Sequence, residues 1–123
     1  MLEHVAIRCI DRAASGMFRD ALLAPLGNTR VMDSGPVVGF GTAGKPDFWI
    51  GPSDTAGVPR PSHLAFAADD GHAERAFSDS AVALGTEVLH VPRVWSGFHP
   101  DYYGVFVRDP DGNDVEAVCH APG

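Results

Sequence analysis

Short apolar runs alternate along the chain with longer stretches in which apolar residues recur every three or four positions. The runs at 4–10 and 63–67 are rich in strand-forming residues. Each is followed by a stretch of helical spacing, with Phe18, Leu22 and Leu23 in the first and Phe77, Ala81 and Val82 in the second. The pattern therefore predicts a strand followed by a helix, twice along the chain.

The two strand–helix stretches repeat one another in sequence. Residues 4–24 and 63–83 are identical at seven of 21 aligned positions, at an offset of 59, where composition alone would give about one or two identities. His4 opens the first copy and His63 opens the second. The repeat indicates that one supersecondary unit occurs twice.

Both copies carry the residues that begin and end a helix. Asp11 in the first copy, and Asp69 or Asp70 in the second, stand where a carboxylate can accept the free N–H groups of a helix start. Gly27 and Gly85 stand where a left-handed residue ends each helix.

Three further strands are predicted after each helix. They are residues 29–34, 36–41 and 46–51 in the first copy, and 86–91, 102–108 and 113–120 in the second. The turn 109–112, Asp-Pro-Asp-Gly, is typical of a tight hairpin. The chain is therefore predicted to be an α+β fold of duplicated βαβββ units, at about 1–51 and 62–121, joined by a linker at 52–61.

Composition narrows the range of functions. The 123 residues suggest one compact domain. The formal net charge of -7 argues against a nucleic-acid partner, which requires a basic face. No apolar run approaches the roughly 20 residues that span a bilayer, so we expect no membrane partner. No secretory signal is visible at the N-terminus, which makes the cytoplasm the expected location.

The two cysteines, Cys9 and Cys119, each lie in an apolar, strand-like run. We expect them to be reduced, buried apolar residues. A disulfide or a metal site is the alternative, although neither cysteine has the close spacing of a zinc motif.

Alternation along the strands places three polar residues on one face of the predicted sheets. In the first strand, Val5, Ile7 and Cys9 face the helices, so His4 and Arg8 face the opposite, concave side. The repeat gives His63 the same position. Glu116, which lies between apolar neighbours in the last strand, faces that side too. Two imidazoles and one carboxylate suit a divalent metal and leave positions open for water or substrate.

Each of these residues also has a plainer interpretation. A lone histidine in a strand is more often a half-buried structural residue than a ligand. Glu116 alone is also compatible with a solvated carboxylate or with a partner of Arg8. The repetition of His4 at His63 favours the metal site.

A stretch of unusual aromatic content occupies residues 92–104. It contains Trp95, Phe98, His99, Tyr102 and Tyr103. One interpretation is a packed loop with a few core rings. The other is a wall or lid for a flat or apolar ligand, with His99 or a tyrosine such as Tyr103 as proton donor.

The positions of the remaining charged and imidazole side chains indicate their roles. Arg8 lies near His4 and suits an anionic substrate group. His72 and His90 fall outside the pattern and are expected at the surface, whereas His120 shares the face of Glu116 as a candidate supporting residue.

The whole chain resembles the vicinal oxygen chelate superfamily. The resemblance rests on HVAI at 4–7, HLAF at 63–66 and FVRDPDGNDVEAV at 106–118. This superfamily includes glyoxalase I, fosfomycin-resistance transferases, extradiol dioxygenases and bleomycin-resistance proteins. The resemblance implies that the duplicated units form a curved, mixed-sheet cup.

The resemblance also implies roles for particular residues. His4, His63 and Glu116 match the ligands on the first, fifth and eighth strands, for Zn, Ni, Mn or Fe. Glyoxalase I enzymes carry a fourth ligand on the fourth strand. An offset of 67 places Trp49 opposite Glu116, and an indole offers only an N–H donor. The chain therefore departs from the four-ligand pattern, and Trp49 becomes a candidate wall of the cup.

The implied function is a metal-dependent lyase, isomerase or transferase acting on a small substrate with two neighbouring oxygens. Glu116, His99 and Tyr103 are its candidate catalytic residues, and its candidate substrate contacts are Arg8, Trp49, Trp95, Phe98 and Tyr102. Two alternatives remain open, a metal-free small-molecule or antibiotic-binding protein and an extradiol-type dioxygenase. We expect a homodimer, whose sites take His4 from one subunit and His63 with Glu116 from the other in the swapped form of pairing.

Overall fold

The computed structural model describes residues 2–52, 61–94 and 103–120, and they form two βαβββ units. The first consists of β1 (Val5–Cys9), α1 (Arg12–Leu23), β2 (Thr29–Asp33), β3 (Val38–Thr42) and β4 (Lys45–Pro52). The second consists of β5 (His63–Ala67), α2 (Gly71–Ala83), β6 (Val88–Val94), β7 (Tyr103–Arg108) and β8 (Asp114–Cys119). A short 3-10 helix, Ala24–Leu26, follows α1. The duplicated α+β fold expected from the sequence is confirmed.

Each unit contributes one open, mixed, four-stranded sheet. The strand orders are β1-β4-β3-β2 and β5-β8-β7-β6, so the two units have the same topology. The first strand of each unit pairs in parallel with the last, and the other pairings are antiparallel. The parallel pair β5–β8 sets His63 directly beside Asp114 and Ala65 beside Glu116.

The helix starts follow the repeat. The Asp11 side chain accepts a hydrogen bond from the Ala14 N–H at 3.1 Å, and Asp70 accepts one from the Ala73 N–H at 2.8 Å. Asp70, rather than Asp69, is therefore the N-cap of α2. Gly27 ends the short helix after α1 at φ 81°, a left-handed conformation that favours glycine. No helix among residues 2–52, 61–94 and 103–120 is long and apolar enough to cross a membrane.

The core lies between the sheets and the two helices, and it is continuous between the units. Phe18 and Phe77, which the repeat aligns, are both buried in it. The rings of Phe48 on β4 and Phe66 on β5 meet edge to face, with centroids 5.1 Å apart. Val82 does not share the buried face of α2 and is 64% exposed, because it lies about 100° around the helix from Ala81.

A buried ion pair also connects the two units. The Arg19 guanidinium on α1 is fully buried and donates a hydrogen bond of 2.7 Å to Asp109, in the turn between β7 and β8. It lies 4.9 Å from the centroid of the Phe18 ring and 5.4 Å from that of Phe48. Burial lowers the pKa of Arg19, while the bond to Asp109 opposes that shift.

The turn that holds Asp109 is fixed by contacts with several elements. Asp109 accepts hydrogen bonds from the Asp111 and Asn113 N–H groups, at 2.9 and 2.8 Å. Asp111 accepts one from the N–H of Ile10, just after β1, and Asn113 accepts one from the N–H of Ser62, just before β5. The turn therefore sets the position of β8, and with it Glu116, against both units.

Candidate functional site

The candidate site is built around one histidine–carboxylate pair. His63 Nε2 lies 2.9 Å from Glu116 Oε1. Glu116 is only 2% exposed, whereas the His63 side chain is 55% exposed. Because His63 stands beside Asp114 in the sheet, its ring reaches diagonally along β8 to Glu116. An imidazole therefore meets the carboxylate that the sequence places among apolar neighbours.

The His63 ring has two further contacts. Its Nδ1 atom lies 3.6 Å from Asp114 Oδ2. The ring also meets the Phe106 ring edge to face, at a centroid distance of 6.0 Å. Phe106 pairs with Glu116 across β7 and β8. The imidazole is thus held between two carboxylates, with an aromatic ring beside it.

His4 lies apart from this pair within one chain. It precedes β1, is exposed, and contacts Glu3 through Nδ1. The hydrogen bond with His4 lowers the pKa of the Glu3 carboxyl. Among residues 2–52, 61–94 and 103–120, no three His, Cys, Asp or Glu side chains form a group that could hold a metal. A single chain therefore brings together two of the three predicted ligands.

The surroundings of His4 form a cleft of about 470 Å³. One side is formed by the start of β1 and by residues of β4, including Lys45, Asp47 and Phe48, and the other by residues 64–67 of β5. Both β1 and β5 are edge strands. The cleft therefore separates the two sheets where their first strands face one another.

Trp49, at the predicted fourth-ligand position, forms part of a smaller cleft of about 230 Å³ with Arg8 and Val37. The indole lies close to the backbone of Gly39, its neighbour across β3 and β4. A Cβ atom on Gly39 would approach Trp49 Cζ3 to 3.0 Å. The missing side chain at Gly39 therefore makes room for the indole, and Arg8 provides a positive charge at the same cleft.

Tyr103 faces away from the candidate site. It is the first residue of β7, pairs with Cys119 and packs against the hydrophobic core. Side chains alternate along β7, so Tyr103, Val105 and Val107 face the helices while Phe106 faces the other side with Glu116. A proton donor acting beside Glu116 in the same chain does not fit this position.

Four other predicted residues, Trp95, Phe98, His99 and Tyr102, lie outside the residues that the structure describes. Of the remaining histidines, His72 is exposed on α2, as expected, and His120 is exposed just after β8. Cys9 and Cys119 are buried free thiols, which confirms the expectation of reduced cysteines. Burial raises the pKa of Cys9.

The sequence did not reveal a buried carboxyl behind β8. Glu74 on α2 is fully buried, and the Cys119 thiol donates to its Oε2 atom at 3.7 Å. Burial raises the pKa of Glu74 to about 8, and the negative charge of Glu116 adds to the shift. In the sequence Glu74 resembles an ordinary acid in the first turn of a helix, where its negative charge would interact favourably with the helix dipole.

Solved structures resemble this chain closely in fold. A glyoxalase/bleomycin resistance protein from Albidiferax ferrireducens T118 is 27% identical, with a TM-score of 0.82 over 94% of this chain and 95% of that one. A glyoxalase/dioxygenase from Nostoc punctiforme is 20% identical, with a TM-score of 0.71 over 97% and 90%. Lactoylglutathione lyase from Agrobacterium tumefaciens is 24% identical, with a TM-score of 0.66 over 94% and 90%.

The sequence itself matches no family model and no curated protein. The fold is nevertheless that of the glyoxalase/bleomycin resistance/dioxygenase proteins, which make up the vicinal oxygen chelate superfamily. The resemblance carried by HVAI, HLAF and the DPDGN turn is therefore confirmed.

Proposed function

We propose that this protein is a divalent-metal-dependent enzyme acting on a small substrate with two vicinal oxygens, by a lyase, isomerase or transferase reaction. Its metal ligands are His63 and Glu116 of one subunit and His4 of a second copy. The observation that carries the proposal is the contact between His63 and the nearly buried Glu116.

The two side chains fit half of a metal site. An imidazole nitrogen and a carboxylate oxygen are common ligands of Zn, Ni, Mn and Fe. At 2.9 Å apart, both atoms can reach one ion. A buried carboxylate also requires a compensating positive charge, and a divalent cation supplies it.

A second copy is proposed because His4 does not join the pair within one chain. Each sheet carries small, exposed side chains on the face opposite the helices, among them Ala6, Ala65 and Ala67. One four-stranded sheet leaves that face open, and a two-sheet cup covers it. In the proposed homodimer, the first unit of one subunit faces the second unit of the other.

The chemistry follows from what surrounds the substrate. A bound divalent metal would act as a Lewis acid toward the two vicinal oxygens. In the metal-free protein, His63 keeps Glu116 in place through their contact. Glu116 is the candidate base, because its carboxylate lies on the sheet face that carries the His63 contact. Arg8 would attract an anionic substituent, and the Trp49 indole would exclude water from the apolar side of the substrate.

The second candidate function is metal-free binding of a small molecule or antibiotic. Trp49 favours it, because an indole takes the place of a ligand and lines a cleft beside Arg8. In that case a ligand would bind with unchanged affinity after treatment with chelator, and no turnover would occur. An extradiol-type dioxygenase would instead be recognised by oxygen uptake with catechols.

The proposed function is tested by metal analysis of protein purified without chelator. We expect about one divalent ion per chain in the wild type and strong loss in His63→Ala. The matched control is His72→Ala, because His72 is exposed on α2 and lies outside the sheet that carries Glu116. Absence of metal from the wild type, together with its failure to take up added Zn, Ni, Mn or Fe, would refute the proposal.

A further inference from the structure

A second carboxylate lies at the other nitrogen of the His63 ring. Asp114 Oδ2 is 3.6 Å from Nδ1, whereas Glu116 Oε1 is 2.9 Å from Nε2. Asp114 and Glu116 are two residues apart on β8, so their side chains lie on the same face of the sheet. His63 stands directly opposite Asp114 in the parallel pair. The register therefore brings both acids to one ring.

The backbone of Asp114 is fixed in this position. Its N–H donates a hydrogen bond of 2.9 Å to the carbonyl of Ser62, next to His63. Its other carboxylate oxygen, Oδ1, is buried and has no hydrogen-bond partner. At 3.6 Å the other oxygen makes an ion-pair contact with the ring rather than a hydrogen bond, and its negative charge favours a proton on the facing nitrogen, Nδ1.

The two ring nitrogens must be in different states for His63 to bind a metal. A neutral imidazole has one N–H and one lone pair, and the hydrogen bond at one nitrogen decides the state of the other. Glu116 by itself favours a proton on Nε2, which would block that nitrogen as a ligand. A proton on Nδ1 requires an acceptor there, and metal-binding histidines usually donate this N–H to a carboxylate, carbonyl or water.

We propose that Asp114 is a positioning residue, which holds the proton on Nδ1 of His63 and leaves the Nε2 lone pair directed toward Glu116 and a metal. This inference rests on the proposed metal-dependent function. Phe106 supports the same ring orientation through its edge-to-face contact.

An exposed carboxylate on α2 provides the control. Asp79 has no ion pair or hydrogen bond with a histidine among the residues that the structure describes. Substitution of Asp79 therefore removes one carboxylate without touching the His63 ring or the cleft around His4.

The experiment is a titration of the metal-free protein with Co²⁺, followed by its visible absorption. We expect Asp114→Leu to weaken binding by about 10- to 100-fold. Asp114→Asn should lose less Co²⁺ affinity than Asp114→Leu, because its amide oxygen can still face the N–H of Nδ1. Asp79→Leu should bind within about twofold of the wild type. The melting temperature of each variant shows whether it is folded.

A second measurement separates positioning from structural support. The ¹⁵N shifts of His63 in metal-free protein, assigned by their loss in His63→Asn, report which nitrogen carries the proton. We expect Asp114→Leu to increase the share protonated at Nε2. A purely structural role would change the melting temperature and leave these shifts unaltered.

Two results would overturn the inference: unchanged ¹⁵N shifts in folded Asp114→Leu, or equal loss of Co²⁺ affinity in Asp79→Leu and Asp114→Leu. If the wild type binds no Co²⁺, the proposed function loses its support. The ¹⁵N shifts of the metal-free protein then decide the role of Asp114 by themselves.

Discussion

The buried guanidinium of Arg19 donates a 2.7 Å hydrogen bond to Asp109, which links α1 of the first unit to the β7–β8 turn of the second. Glu116 lies on the strand that follows this turn. The helix of one unit therefore supports the strand on which the other unit carries its candidate metal ligand.

Arg19→Met should destabilise the protein by about 3–5 kcal/mol, because it leaves the Asp109 carboxylate buried without its cationic partner. Urea denaturation at neutral pH measures the loss. Arg12→Met is the matched control on the same helix, since Arg12 and Asp33 form a partly exposed pair, and its loss should be about 0–1 kcal/mol. Equal losses in the two variants would show that burial of the Arg19 pair has no special effect.

Glu74 should make the protein less stable as the pH rises from about 5 to 8. Its pKa is about 8 in the folded protein, against a usual value of 4.5. Between these values the folded state retains a proton that the unfolded state has released, so stability falls with rising pH and levels off above about pH 8. The expected loss is on the order of 2–4 kcal/mol.

The measurement is the free energy of unfolding at several pH values, compared between the wild type and Glu74→Gln. The amide stays neutral, so the variant should lose most of this pH dependence and be the more stable protein at pH 8. Asp79→Asn, at an exposed position on the same helix, should keep the wild-type slope. A slope in Glu74→Gln as steep as that of the wild type would assign the dependence to other groups.

Mixed dimers test where the third ligand comes from. His4→Ala and His63→Ala homodimers should each lack an intact site. If sites are shared between subunits, a heterodimer of the two variants contains one intact site, with His4 from one subunit and His63 with Glu116 from the other.

Differently tagged variants, co-expressed and purified through both tags, give the heterodimer for Co²⁺ titration. We expect one tight site per heterodimer, and none in either homodimer. Absence of that site, when wild-type dimers bind Co²⁺, would favour sites built within one chain. A monomeric wild type would exclude the shared site altogether.

Replacement of Trp49 by glutamate tests the missing fourth ligand. Trp49→Glu adds a carboxylate at the position that aligns with Glu116, and we expect metal affinity to rise by about tenfold or more, because affinity grows with the number of charged ligands. Trp49→Leu serves as the control, since it removes the indole without adding an oxygen. Co²⁺ affinity that is the same in both variants would place residue 49 away from the metal.

Much of the fold could be predicted because it depends on local patterns that occur twice. The apolar runs, the aspartates at the helix starts and the repeat itself specify two βαβββ units. The inward direction of Glu116 followed from alternation along β8 and agrees with its contact with His63.

The remaining features of the fold and the site depend on tertiary packing, which local sequence patterns do not predict. In the sequence Tyr103 belongs to a run of aromatic residues, whereas its alternation with Val105 along β7 places it toward the helices. Arg19 and Glu74 look like ordinary surface charges of helices until the turn at Asp109 and the thiol of Cys119 are packed against them. His4 is separated from His63 by the relative placement of the two sheets, which the sequence of either unit leaves open.

The turn at 109–113 is a junction that hydrogen-bonds α1, the residue after β1 and the residue before β5, each through a different side chain. Its exposed side resembles a convenient place to graft a loop or attach an affinity tag. An insertion there would release three elements simultaneously and move Glu116 out of alignment with His63. For protein engineering, this hairpin is therefore a fixed part of the scaffold, and loop grafts belong elsewhere.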